Sequence, residues 1–311
     1  MASEAELIAA LKEIFSIGDS NLIVGIGDDG AVVMRPSENL VMASDMAVEG
    51  VHFKREWSTL REIGAKVSAA NFADIFAMGG LPKYLLVSAG LPKDFSISDI
   101  KELAHGIQEE ADVVGASVIG GDISSSSHLV ISISVYGEVQ IPIKRSGAKL
   151  GDKVIISSLP GKSAAGLKQL EIGITSSQFI SAHKRPVLDY EMAKIFVASD
   201  NSAYTVNAMC DVSDGLISEL RHIADSSKVG IRLDSKLISE AIGFKELSNL
   251  AVEIKCEVWQ WILSGGEDHV FVATTSGKIP DGAIEIGEVV SELGVMVQGL
   301  PDFKSEGFKH F

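Results

Sequence analysis

The stretch LVISISVY, Leu129 to Tyr136, followed by IKRSGAKLGD, Ile143 to Asp152, decides how the chain divides. Leu129, Ile131, Ile133 and Val135 fall at every second position, the period of a strand with one buried face. The second stretch replaces that period with basic residues and glycines, so a strand closes one domain and a turn opens the next. Toward the N-terminus, apolar runs predict strands near Leu22–Ile26, Leu40–Ser44, Tyr84–Ala89 and Ser117–Ile119, with a helix over Thr59–Met78. Toward the C-terminus, predicted strands near Lys153–Ser157, Gly230–Leu233 and His269–Thr274 alternate with helical patterns near Ser163–Ile172, Tyr190–Val197 and Leu216–Ser226. The expected fold class is α/β: two α/β sandwich domains, residues 1–140 and 141–311, with a ligand cleft between them.

Composition narrows the function. The 311 residues suit two domains, and 46% hydrophobic with 22% charged residues is the balance of a globular chain. No apolar run approaches the roughly 18 residues that span a bilayer, and the opening MASEAELIAALKEIF is acidic and amphipathic, so a cytoplasmic protein without a membrane partner is expected. Cys210 and Cys256 form no C-x-x-C pair and the seven histidines show no paired metal spacing, which argues against zinc and thiol chemistry. A net charge of -15 without a basic cluster disfavours nucleic acid. A phosphate ligand in so acidic a protein requires divalent cations between its oxygens and the carboxylates.

Carboxylates recur where apolar strands are predicted to end. GIGDDG places Asp28 and Asp29 after a short strand, LVMASD ends on Ser44 and Asp45, and VIGGD ends on Asp122. CDVSDGL sets Asp211, Ser213 and Asp214 ahead of a helix, where one of them can serve as N-cap, and SGGED places Glu267 and Asp268 at a glycine turn. One Asp-Gly turn is ordinary turn chemistry, but five such clusters argue for a shared purpose. In the helix over Thr59–Met78, residues Leu60, Gly64, Val67, Asn71, Asp74 and Met78 share one stripe, which turns Asn71 and Asp74 inward. A core-facing Asp74 needs a metal, a cation or several hydrogen-bond donors. Gly161-Lys162-Ser163 ends like a P-loop, yet Ile156 stands where its first glycine would be required, so no Walker-A site is expected. Arg145 is placed to fork onto a phosphate or to lie solvated at the surface.

Taken in order, GIGDDGAVV, ASDMAVEGVHF, NFADIFAMGGLPKYLLVSAGLP, GGD, KRSGAKLGD, DVSDGL, SGGEDHVFV and the terminal GFKHF resemble the thiamine-monophosphate kinase family from end to end. That family belongs with aminoimidazole ribonucleotide synthetase-like ATP-binding proteins. The resemblance implies their two-domain fold and a homodimer that pairs the first-domain sheets. It implies several Mg2+ ions, ATP as co-substrate and thiamine monophosphate as acceptor, converted to thiamine diphosphate by direct in-line transfer without a covalent intermediate. By the same resemblance Asp29, Ser44, Asp45, Asp74, Asp122, Asp211 and Asp214 would hold metal. Gly121, Asp122, Arg145 and Ser213 would contact ATP, and His52, Glu267 and Phe308 the substrate. No protein side chain would act as a catalytic group. Two places depart from the family pattern: Ala43-Ser44-Asp45-Met46 for the usual S-T-D-T, and Ile123-Ser124-Ser125 after GGD. The alternatives are another ATPase of that superfamily, of the hydrogenase-maturation or purine-synthesis type, and a non-catalytic nucleotide- or metal-binding module.

Overall fold

The computed structural model describes residues 4–15, 21–24, 32–34, 39–198, 203–300 and 303. The chain forms two compact units, one of residues 1–75 with 80–140 and one of 76–79 with 141–311. In chain order the first contains α1 (Glu4–Ile14), β1 (Leu22–Val24), β2 (Val32–Val33), β3 (Asn39–Val48), α2 (Leu60–Ala77, whose last two residues fall in the second unit), β4 (Leu81–Leu91), α3 (Ile97–Val114), β5 (Ser117–Ser125) and β6 (Val130–Val139).

The alternation of LVISISVY sets the main sheet, whose order is β3-β6-β4-β5. Ile131, Ile133 and Val135 are fully buried on one face of β6, each contributing about 1.5–3 kcal/mol through burial. β3 pairs with β6 without a break from Asn39 opposite Val139 to Val48 opposite Val130. Asp45 therefore lies inside β3 and not at its end, because Met46, Ala47 and Val48 continue the ladder. Asp122 likewise lies inside β5, opposite Ser88. On the outer face of β3, Leu40, Met42 and Met46 are more than half exposed.

Helix α2 is buried nearly all round, with Ile63, Ala65, Ala69, Phe72, Ala73 and Ile75 as inaccessible as Asn71. The one-stripe expectation is corrected accordingly: Asn71 is enclosed, whereas Asp74 is half-buried. Enclosure comes from close crossing with α3: a Cβ on Gly64 would stand 2.2 Å from the Leu103 carbonyl oxygen, and one on Gly106 2.0 Å from that of Arg61. Ser96 caps α3 in a capping box with Asp99. Gly79, at φ 78°, ends α2 while Gly80 N–H donates to the Ile75 carbonyl at 2.9 Å.

The second unit holds β7 (Lys153–Ile156), α4 (Lys162–Glu171), α5 (Gln178–Lys184), α6 (Tyr190–Val197), β8 (Tyr204–Asp211), α7 (Leu216–Ser227), β9 (Gly230–Asp234), α8 (Ser235–Glu240), α9 (Phe244–Glu253), α10 (Val258–Ser264), β10 (Phe271–Gly277), β11 (Ile284–Val290) and β12 (Gly294–Gln298). Its sheet runs β12-β9-β11-β7-β10-β8. The central strands are buried on both faces: Val154, Ile156 and Val272 join a core with α7, α9 and α10, while the Phe271 ring meets Phe76, which also packs on Tyr190 of α6. Among the described residues no helix is long and apolar enough to cross a membrane.

Candidate functional site

In the first unit the buried amide of Asn71 organises the acids. Its Oδ1 accepts the Asp45 N–H at 3.0 Å and its Nδ2 donates to the Val67 carbonyl at 2.9 Å, which ties β3 to the turn of α2 that carries Asp74. Ser44 turns to the opposite face of β3, where its hydroxyl bonds the Ile133 carbonyl at 3.1 Å and the Ser134 hydroxyl at 3.0 Å, so the side chains of Ser44 and Asp45 are not brought together. Gly121 lies in Asp45's register row, and a Cβ there would meet the Val87 carbonyl oxygen at 1.8 Å. That row spans the full sheet, placing Asp45 and Gly121 about 14 Å apart at the ordinary strand spacing. His52 accepts the Val48 N–H on Nδ1 at 3.1 Å, which leaves its ring proton on Nε2. Glu49 fixes the same loop through Arg55 at 2.6 Å and the Leu129 N–H at 3.1 Å.

In the second unit DVSDG and SGGED converge because backbone meets backbone. Glu267 N–H donates to the Ser213 carbonyl at 2.8 Å and His269 N–H to that of Val212 at 3.0 Å. Glycine is required on both sides: a Cβ on Gly215 would stand 2.7 Å from the Ser264 carbonyl oxygen, and one on Gly266 2.3 Å from that of Ser213. Asp211 is buried and bonds His269 Nδ1 at 2.9 Å. Glu267 and His269 have φ of 63° and 50°, a left-handed conformation that costs non-glycine residues about 1–3 kcal/mol each and marks functional turns.

Arg145 joins this group from the domain-opening turn. Gly147 packs on the Asn207 carbonyl, with room for no Cβ, and Ser227 Oγ bonds both the Arg145 carbonyl at 2.9 Å and the Ala148 N–H at 3.1 Å. The guanidinium reaches Glu219 at 3.3 Å and stays 48% exposed, so it can still face a ligand. Glu219, absent from the sequence-based set, is buried and within 3.4 Å of the Ser213 hydroxyl. Burial, followed by the charge of Asp211, pushes its carboxyl up to about 7 against the opposing pull of Arg145. The signal was present, since Glu219 falls on the apolar stripe of Leu216, Leu220 and Ile223. Cys210 is buried, its thiol pushed well above the ordinary range by desolvation, and is chemically inert.

Asp29 and Phe308 lie outside the described residues. Among the described residues no three His, Cys, Asp or Glu side chains form a metal-holding group. The donor set nevertheless fits Mg2+, a hard cation that keeps several waters and takes one or two carboxylates plus substrate phosphates. Burial raises Glu219 most and the charge of Asp211 next, and a cation would relieve the second of these.

Residues 27–139 match the N-terminal domain of AIR synthase related protein and residues 149–298 its C-terminal domain. The chain belongs to the AIR synthase-related family. Thiamine-monophosphate kinase of Mycobacterium tuberculosis (strain ATCC 25618 / H37Rv) is 36% identical over 273 residues, 87% of this chain and 80% of that one. Thiamine-monophosphate kinase of Aquifex aeolicus (strain VF5) is 33% identical over 320 residues, 97% and 99% of the two chains. The solved structure of AaThiL complexed with AMPPCP and TMP superposes with a TM-score of 0.79 at 31% identity, covering 99% of this chain and 97% of that one. These relatives place the chain, within its family, among the thiamine-monophosphate kinases. Hydrogenase maturation protein HypE in complex with ATP, TM-score 0.74 at 14% identity over 100% and 96% of the two chains, shares the fold.

Proposed function

We propose that this chain transfers the γ-phosphoryl of ATP to thiamine monophosphate, yielding thiamine diphosphate and ADP. The reading is carried by 33% identity to a thiamine-monophosphate kinase over 97% of the chain. The likeness to a relative solved with AMPPCP, an ATP analogue, and TMP supports both substrates. Asp45, Asp74 and Asp122 in the first unit and Asp211 and Asp214 in the second would hold Mg2+, together with Asp29 and Ser44. These residues would hold Mg2+, which when bound would supply charge neutralisation for the transferring phosphoryl group. Arg145, Ser213 and Gly121 orient the nucleotide phosphates, and His52, Glu267 and Phe308 hold the acceptor. No general base is needed, because the attacking phosphate oxygen is ionised near neutral pH.

The working form is a homodimer. Asp45 and Gly121 stand three strands apart in one chain, about 14 Å at the ordinary strand spacing, a span to be bridged by a nucleotide with its ions or by residues of a second copy. The exposed Leu40, Met42 and Met46 on the outer sheet face supply an apolar surface for that pairing. The test is ADP release measured in magnesium with thiamine monophosphate, thiamine and an aminoimidazole-type purine precursor in turn. Turnover with thiamine monophosphate alone is expected, and equal or greater turnover with the purine precursor would reject the reading.

A further inference from the structure

We propose that Asp268 is a positioning residue that clamps the turn Glu267–His269 and so aims Glu267 at the acceptor, an inference that rests on the assignment of Glu267 above. The Asp268 carboxylate is buried and uses both oxygens: Oδ2 accepts the Gly161 N–H at 2.7 Å and Oδ1 the Ser163 N–H at 2.9 Å. These are N–H groups at the start of the ten-residue helix α4, which lack partners within the helix and favour a negative charge. The P-loop-like Gly161-Lys162-Ser163 thus engages a carboxylate of its own chain.

The clamp acts where the backbone resists. Residues on both sides of Asp268 are left-handed, and neither is glycine, so the turn keeps its shape only under external hold. The first turn of α4 also reaches Glu267 by a second route: Ser163 Oγ lies 3.0 Å from His183 Nδ1, which stands 3.7 Å from Glu267 Oε2. On the other side of the clamp, His269 contacts Asp211. Asparagine is nearly isosteric but turns an NH2 toward one of the two N–H donors, so it breaks one arm of the clamp with little change in volume.

The test is a double-mutant cycle of Asp268→Asn and Glu267→Gln in the full chain, with kcat/KM for thiamine monophosphate as one readout and amide hydrogen exchange as the other. Asp268→Asn is expected to lower kcat/KM at least tenfold and to add no further loss on top of Glu267→Gln, since it acts through that residue. Exchange of amides 264–270 should accelerate at least tenfold while β7 and α9 keep wild-type protection, which a general loss of folding would not produce. Additive losses in the cycle, or unchanged exchange over 264–270, overturn the proposal. A wild-type protein that does not turn over thiamine monophosphate defeats the Glu267 assignment instead, and exchange alone then decides the clamp.

Discussion

Glu219 is the residue whose environment makes the sharpest demand. Its folded-state value near 7 lies above the ordinary 4.5, so the folded chain holds this proton more tightly than the unfolded one. The stabilisation it gives is complete below about pH 4.5 and is lost as pH rises through 7. A displacement of that size corresponds to roughly 3 kcal/mol. Glu219→Gln removes the titration. In chelator, its melting temperature should therefore gain on the wild type from pH 5 to about pH 7 and level off above that. A difference between the two proteins that stays constant across that range would refute the crowded-carboxylate description of the second-unit site.

Among the elements, α2 carries Asn71, which holds Asp45, and crosses α3 closely at Gly64 and Gly106. Gly64→Ala drives a methyl into the Leu103 carbonyl at 2.2 Å, so the two helices must separate locally. The expected cost is about 1–3 kcal/mol by chemical denaturation, the usual penalty of overpacking. Unchanged stability would show that the helices do not approach this closely. What was legible in the sequence follows from range. Helix α6 falls at the expected Tyr190–Val197 and β6 where its alternation puts it, because periodicity is local, whereas β3 and β5 run on past the expected ends at Ser44 and Ile119. Strand β8 was not read because Asn207 and Thr205 interrupt its apolar run, and β11 and β12 because their half-buried residues alternate weakly. Asp45 and Asp122 read as strand ends because carboxylates and glycines are poor strand formers. The ladder with β6 and β4 overrides that preference.

At the scale of the whole molecule, the acid motifs were visible but their grouping was not. DVSDG and SGGED meet through carbonyl contacts that only glycines allow, a tertiary fact no spacing encodes, while Asp45 and Asp122 stand apart within one chain. The proposed dimer, if each of its sites takes Asp45 from one copy and Asp122 from the other, predicts subunit complementation. Asp45→Asn and Asp122→Asn homodimers should each be nearly inactive. Unfolding, mixing and refolding them in equal amounts should restore about a quarter of wild-type activity, since half of the dimers are mixed and each mixed dimer has one intact site of two. No recovery despite mixed dimers would place both acids in sites completed by a single chain.

In the proposed reaction a phosphoryl group moves from nucleotide to thiamine monophosphate without passing to water. Turnover with ATP labelled in its γ-phosphate measures this directly. Label should appear in thiamine diphosphate in one-to-one ratio with ADP, with none in inorganic phosphate beyond the background without acceptor. Label released as inorganic phosphate while thiamine monophosphate is recovered unchanged would rule out that transfer and assign the chain to ATP hydrolysis.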